Sequence, residues 1–213
     1  MPQLNAPPAP YLTRLLLLAN VAVAVALALA GPAVTNQALG QSGLIPVRLS
    51  MALDGTTALL PALATLFTHL FLHGGWLHLA MNMIMLLAMG NLLEPLIGPR
   101  RLAVLYLVGG LASAAAEWAV SPLSTVPTVG ASGAISALIG AQAMLGSRGN
   151  QNPLMRGLGL AAAWTAFQLL AGLVMNGPGF QLAIAGHIGG FFAGLVLVPL
   201  LTAKRAASGR QPG

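Results

Sequence analysis

The chain has 213 residues, of which 57% are hydrophobic and only 6% are charged. A soluble domain of this size carries roughly a quarter of its residues as charged side chains, so the composition excludes a water-soluble globule. Six membrane-spanning helices of about 20 residues each need about 120 residues, which the chain can supply with short loops and tails left over. The sequence therefore predicts a polytopic, all-α membrane protein.

Charge and cysteine content exclude several further classes. The net charge is +6, but the basic residues lie between apolar stretches and form no patch interleaved with aromatic side chains, so no nucleic-acid partner is predicted. Cysteine is absent, which rules out disulfides and thiol chemistry. Three carboxylates, Asp54, Glu94 and Glu117, are too few for an acid-lined proton relay or a carboxylate metal cage.

Six apolar stretches bounded by Pro, Gly, Asn or Arg predict the spans. In chain order they cover residues 15–34, 77–93, 102–120, 129–145, 158–175 and 180–201. With six crossings, eight of the nine cationic residues share one side, and only Arg48 falls on the other. Because basic residues are retained in the cytoplasm, both termini are predicted to be cytoplasmic, and the high Ala, Gly and Arg content is compatible with a bacterial inner membrane.

The apolar segment 58–72 is not counted as a span. It is about 15 residues long, contains Pro61, and as a seventh crossing would put the later arginines on alternate sides. We expect it to form short helices or turns partly submerged at the outer face of the membrane, packed on the bundle.

The first span also has an alternative interpretation as a secretory signal peptide, because Arg14, an apolar run and a small-residue tripeptide at 28–30 imitate one. The run continues to Val34 and is near spanning length, which favours a retained helix. Residues 1–11 and 202–213 are predicted to be disordered tails. They flank a predicted membrane domain over 12–201.

Four polar residues inside the predicted spans require an explanation, because polar groups in the bilayer are costly. They are His78 and Asn82, four residues apart on one face of the second span, Ser132 at the start of the fourth, and His187 about two turns into the sixth. These three spans all begin on the outer side. The uncharged loop 121–128 can dip into the membrane where protein covers it, so we expect the four residues at similar depth.

The four residues suggest nucleophilic catalysis. A serine hydroxyl becomes a useful nucleophile when a neighbouring imidazole accepts its proton, and Ser132 with His187 is such a pair. His78, Asn82 and the backbone N–H of Ser132 are candidate donors to an oxyanion. Glycines beside the serine, Gly130 and Gly133, would let a scissile backbone approach closely.

Small residues at every fourth position predict that the fourth and sixth spans pack closely. The two ridges consist of Gly186, Gly190 and Gly194 on the sixth span and of Gly133, Ala137 and Ala141 on the fourth. If the ridges face one another, His187 lies beside its ridge and reaches Ser132.

Each signal also has a structural interpretation. Gly-x-Ser-Gly is common packing material in membrane helices, and His78 with Asn82 can be an interhelical hydrogen-bonding pair. His69, His73 and His78 invite a zinc hypothesis, but Gly74-Gly75 interrupts the spacing and no nearby carboxylate completes a hydrolytic zinc set. Neither a metal nor a cofactor is predicted.

Taken together and in this order, the motifs resemble those of the rhomboid family of intramembrane serine proteases. The blocks that carry the resemblance are His73-Gly74-Gly75-Trp76-Leu77-His78 followed by Asn82, Gly90-x-x-x-Glu94-x-x-x-Gly98, Gly130-Ala131-Ser132-Gly133, and His187-x-x-Gly190-x-x-x-Gly194.

The resemblance implies a six-helix rhomboid-like bundle in the lipid bilayer with a partly embedded first loop. It implies Ser132 as nucleophile, His187 as general base without a third acidic residue, and an oxyanion site of His78, Asn82 and the Ser132 N–H. The implied substrates are transmembrane segments of other membrane proteins, cut near the outer face. Two departures are Ser136, where many relatives have an aromatic residue packing on the base, and Gly186, where Ala is frequent.

Two other functions remain open from the sequence. Some relatives lack the Ser-His pair and bind membrane segments without cutting them, so a non-catalytic adaptor or chaperone is the main alternative. A transporter is a third hypothesis, weakened by the shortage of intramembrane charge. The Gly- and Pro-rich loop 176–179 is predicted to be a mobile cap over the site.

Overall fold

The computed structural model describes residues 9–146, 152–175 and 182–208, and within these ranges the chain is helical. The helices are α1 (Tyr11–Ala30), α2 (Pro32–Ser42), α3 (Pro46–Leu53), α4 (Leu59–Thr68), α5 (Trp76–Ile97), α6 (Pro99–Val120), α7 (Ser132–Gly146), α8 (Pro153–Met175) and α9 (Ile184–Ser208). A 3₁₀ turn (His69–Phe71) follows α4. The prediction of an all-α membrane fold is confirmed.

Among the described helices, five are long and apolar enough to cross a membrane, namely α1, α5, α6, α8 and α9. Helix α7 is apolar but has 15 residues, a length of about 22 Å against a hydrocarbon core of about 30 Å. The fourth predicted span, and with it the count of six, therefore remains a prediction. Helix α7 starts at Ser132 rather than at residue 129 because Gly130, with φ of 114°, cannot continue a helix.

The first span is displaced from its predicted position. Helix α1 ends at Ala30 because Gly31 adopts φ of 92° and Pro32 begins a new helix. A left-handed glycine and a residue without an N–H together interrupt the helical hydrogen bonds. At the other end of the chain, α9 continues to Ser208, beyond the predicted end at residue 201.

The region between α1 and α5 forms short helices, and the apolar segment 58–72 folds into α4 and the 3₁₀ turn. This region is fastened to the loop that precedes α7. Leu44 and Thr128 exchange two backbone hydrogen bonds of 3.0 and 2.8 Å, and the Gly130 N–H donates to the His69 carbonyl at 2.9 Å. These bonds hold the start of α7 against the region of short helices.

Helix α7 lies at the centre of the bundle, packed between α6 and α9, and its residues 133–138 are all buried. Two glycines of α9 permit this packing. A side chain at Gly190 would overlap the carbonyl of Gly133, and one at Gly194 would overlap that of Ala137. Gly186 faces α6 instead, where a side chain would meet Ser113.

A buried carboxyl group joins α1 to the C-terminal end of α5. The carboxyl group of Glu94, 3% exposed, accepts hydrogen bonds from the N–H groups of Leu12 and Thr13 at 2.9 and 2.8 Å and from the Thr13 hydroxyl at 2.7 Å. The first N–H groups of a helix lack partners within it, and the positive end of its dipole favours an acidic group. Glu94 thus caps α1 from a different helix.

Candidate active site

The structure brings Ser132 and His187 together although they are 55 residues apart in sequence. The Ser132 hydroxyl oxygen lies 2.8 Å from the His187 Nε2 atom. Ser132 is the half-buried first residue of α7, and His187, 8% exposed, stands in the first turn of α9 rather than two turns into it. The close α7–α9 packing sets this distance.

Hydrogen bonding on the other side of the ring defines which nitrogen of His187 carries the hydrogen. The His187 Nδ1 atom lies 3.1 Å from the side-chain oxygen of Gln168, which is 4% exposed. An amide oxygen only accepts, so Nδ1 is the donor, and in the neutral ring Nε2 then keeps its lone pair. His187 is thereby arranged to accept the hydrogen of the Ser132 hydroxyl.

His78 has the opposite arrangement. The Gly74 N–H donates to its Nδ1 atom at 3.3 Å, so the neutral ring carries its hydrogen on Nε2. That edge lies against Gly130, where an added Cβ would be 2.8 Å from Nε2 and 3.8 Å from the Ser132 hydroxyl. The same glycine therefore separates the imidazole from the serine, and only a residue without a side chain fits between them.

Asn82 lies one helical turn after His78 and is 5% exposed. Its amide nitrogen donates to the His78 carbonyl at 2.9 Å. An amide nitrogen has two hydrogens, so one donor remains. Its oxygen has no hydrogen-bond partner in the part of the chain that the structure describes. Buried polar atoms are rarely left unpaired, and among the described side-chain amides Asn82 shares this feature with Asn20 and Gln142.

The helix start at Ser132 adds backbone donors. The first N–H groups of α7 have no acceptor within the helix, and the helix dipole makes this end favourable for negative charge. The N–H of Ser132 is therefore suited to stabilise an oxyanion beside the hydroxyl that would create it.

Two site contacts from α8 were missed by the sequence analysis. Besides Gln168 and its bond to the ring, Trp164 donates its indole N–H to the His187 carbonyl at 3.3 Å and stacks on Phe191 with ring centroids 4.8 Å apart. A signal for Gln168 existed, because it is a polar residue inside an apolar predicted span. At Ser136, where many relatives have an aromatic residue, the hydroxyl donates a hydrogen bond to the Ser132 carbonyl at 2.8 Å.

Glu117 also borders the site. Its side-chain oxygen accepts a hydrogen bond from the N–H of Gly186 at 3.0 Å, which ties the C-terminal end of α6 to the residue before His187. Glu117 therefore has a structural role beside the site.

The two remaining histidines, His69 and His73, make no hydrogen bond to Ser132 or His187. The His69 ring bonds through Nδ1 to the Thr65 carbonyl at 2.8 Å. Burial, together with the neighbouring His78, lowers the pKa of His73 to about 4. Within the ranges described, no three His, Cys, Asp or Glu side chains are grouped as metal ligands. The predicted cap, 176–179, lies outside the described residues.

Fold and site together define a helical integral membrane protein in which a serine hydroxyl is hydrogen bonded to a buried imidazole. The model of the Rhomboid domain family matches residues 61–204, about two thirds of the sequence. The chain belongs to the rhomboid family. Helices α1 to α3 precede the matched region.

Three relatives illustrate the similarity. The chain is 33% identical over 143 residues to RHOMBOID-like protein 5 of Arabidopsis thaliana, covering 62% of this chain and 42% of the relative. It is 32% identical over 140 residues to rhomboid protease GluP of Bacillus subtilis, covering 62% and 25%. It is 32% identical over 139 residues to rhomboid protease GlpG of Serratia proteamaculans, covering 65% and 48%. In each case less than half of the relative is matched.

Proposed function

We propose that this chain is an intramembrane serine endopeptidase that cuts transmembrane segments of other membrane proteins near the extracytoplasmic face. The observation that carries the proposal is the 2.8 Å contact between the Ser132 hydroxyl and His187 Nε2, with Nδ1 occupied on the opposite side. Relatives of this chain are named rhomboid proteases.

The first step is attack of the Ser132 oxygen on the carbonyl carbon of the scissile peptide bond. As the new C–O bond forms, His187 Nε2 takes the hydroxyl proton, which lowers the barrier relative to attack by a neutral alcohol. The carbonyl π bond breaks and its electron pair moves to the oxygen, producing a tetrahedral oxyanion.

The oxyanion needs donors, and we propose three. They are the Ser132 N–H at the start of α7, the Nε2–H of His78, and the remaining amide hydrogen of Asn82. Preorganised donors of this kind stabilise charge that develops only in the transition state.

Protonated His187 then gives its proton to the leaving amine as the C–N bond breaks, and an acyl-enzyme remains on Ser132. A water molecule then attacks the carbonyl carbon of the acyl-enzyme while His187 takes its proton. As the ester bond to Ser132 breaks, His187 returns the proton to the serine oxygen, which releases the acid product and restores the hydroxyl. The partly exposed position of Ser132 at the helix end is consistent with a route for that water.

The substrate must present an accessible peptide bond. Within a helix each carbonyl is already hydrogen bonded, so a membrane segment has to unwind before Ser132 can attack. Gly and Pro lower the cost of that unwinding, and we expect segments containing them to be preferred.

We further propose a bacterial inner-membrane location with both termini cytoplasmic. Arg101 bonds the Ile97 carbonyl at the start of α6, and Arg156 contacts Met144 where α8 begins beside the end of α7. These arginines lie at the opposite ends of the helices from Ser132, as expected if the site faces outward and the basic residues face the cytoplasm.

The test uses purified protein in liposomes with a reporter transmembrane substrate. Ser132→Ala and His187→Ala should each yield no measurable product, because one removes the nucleophile and the other the base. A fluorophosphonate probe should label wild type but not Ser132→Ala. Ser136→Ala is a matched control for labelling, since it removes a buried hydroxyl one turn away that the probe does not reach.

Cleavage by Ser132→Ala would overturn the proposal. Capture of the reporter segment by both wild type and Ser132→Ala, with no product from either, would support the adaptor or chaperone function instead.

A further inference from the structure

Gln168 is an unusual residue for its position on α8. Its neighbours Phe167, Leu169 and Leu170 are more than half exposed on the outside of the bundle, as expected for contact with lipid, whereas Gln168 is 4% exposed. A buried amide in an apolar helix is costly without a partner. The partner that the structure provides is the Nδ1 atom of His187, at 3.1 Å.

This contact matters because a neutral imidazole exists in two forms, with hydrogen on either nitrogen. Only the form with hydrogen on Nδ1 leaves Nε2 able to accept the proton of Ser132. Without an acceptor near Nδ1, the ring also populates the other form, in which Nε2 is itself a donor and cannot act as base.

We propose that Gln168 is the positioning residue of the base: it holds His187 in the form and orientation in which Nε2 faces Ser132. The inference rests on the proposed protease function and deepens it. Helix α8 contacts both the ring and the backbone of His187. Gln168 accepts a hydrogen bond from the ring, and Trp164 donates one to the His187 carbonyl at 3.3 Å. The hydroxyl of Ser136 is directed at the Ser132 carbonyl and does not replace this contact.

Two substitutions separate positioning from packing. Gln168→Met keeps the length of the side chain but replaces the amide with a weakly accepting thioether, whereas Gln168→Glu keeps an oxygen acceptor. A positioning role predicts that Gln168→Met lowers kcat about tenfold with KM unchanged, the loss of one net hydrogen bond, and that Gln168→Glu stays within about threefold of wild type.

A packing role predicts the reverse order, because the apolar thioether is tolerated and a buried carboxyl group is penalised. Gln142→Met, the same change on α7 remote from Ser132, is the matched control and should leave kcat unchanged. Should Gln168→Met fail to fold, Gln168→Asn retracts the amide by about one 1.5 Å bond and should lower kcat in the same direction.

A second measurement does not depend on activity. The chain has four histidines, so nitrogen NMR of protein labelled only at histidine can resolve His187, assigned by its loss in His187→Gln. Wild type should show a protonated Nδ1 and an unprotonated Nε2, and Gln168→Met should show both forms in exchange.

Identical His187 spectra in wild type and Gln168→Met would overturn the positioning role, as would an unchanged kcat in that variant. A tautomer change in a protein that cleaves nothing would leave the positioning role intact and remove the protease function, so the two failures are distinguishable.

Discussion

Two buried polar clusters lie toward opposite ends of the bundle, and they differ in how completely their hydrogen bonds are satisfied. At one end, called the inner end after the predicted topology, the Glu94 carboxyl group accepts three hydrogen bonds from the start of α1. At the other end, called the outer end after the same predicted topology, Ser132, His187 and Gln168 form a hydrogen-bonded chain, and Asn82, bonded to the His78 carbonyl, has an unpaired oxygen and an unused amide hydrogen.

Under the proposed function, this difference separates a structural cluster from a reactive one. A saturated polar group in a low-dielectric interior fixes the helices that supply its partners, and it has little capacity for a ligand. An incompletely satisfied group costs stability unless something else completes its bonds. We expect a substrate or reaction intermediate to complete the outer cluster, and nothing needs to complete the inner one.

The largest expected effect breaks the outer cluster at Asn82. Asn82→Ala should lower kcat about a hundredfold with little change in KM, the usual loss for one oxyanion donor. Asn20→Ala is a matched control, because Asn20 on α1 is fully buried and makes the same type of bond, to the Leu16 carbonyl at 2.8 Å. Its kcat should not change. Equal kcat losses in both variants would contradict an oxyanion role for Asn82.

The next effect breaks the inner cluster. Glu94→Leu removes the acceptor of two buried donors on Thr13 and of the partly buried Leu12 N–H, and each buried donor left unsatisfied costs about 1–3 kcal/mol. The free energy of unfolding in detergent should fall by several kcal/mol, while kcat per folded molecule stays at the wild-type value. Thr13→Val removes one of these donors with little change of shape and should cost about 1 kcal/mol. A selective loss of kcat would show that the two clusters are coupled.

The smallest expected effect concerns His73, which lies beside the outer cluster with its ring centroid 5.2 Å from that of His78. Its pKa is lowered to about 4 in the folded protein, from 6.5, by burial and by His78. The unfolded chain therefore binds more protons between these values, and stability should fall as pH is lowered from about 6.5 to about 4. His73→Gln should flatten this slope, measured as melting temperature against pH. Parallel curves for variant and wild type across that range would contradict the assignment.

The helical class and the site motifs were accessible from the sequence, but several boundaries were not. Apolar runs located α5, α6 and α8 within a few residues, because hydropathy alone decides which segments can be buried in lipid. The first span was set too late even though Gly31-Pro32 marks its end. The sequence predicts short helices or turns for the segment 58–72. The bonds between this region and the loop before α7 could not be predicted, because they join segments that are distant in sequence.

By itself the sequence determined that the chain is a bundle of membrane helices and that Ser132, His187, His78 and Asn82 are its chemically unusual residues. Composition and motif spacing are local properties, so they are visible in the sequence without knowledge of the fold. Only the tertiary structure decided that Gln168 meets the imidazole and that Glu94 caps α1, because a hydrogen bond between helices depends on their relative rotation and depth, and neither is encoded in one segment alone.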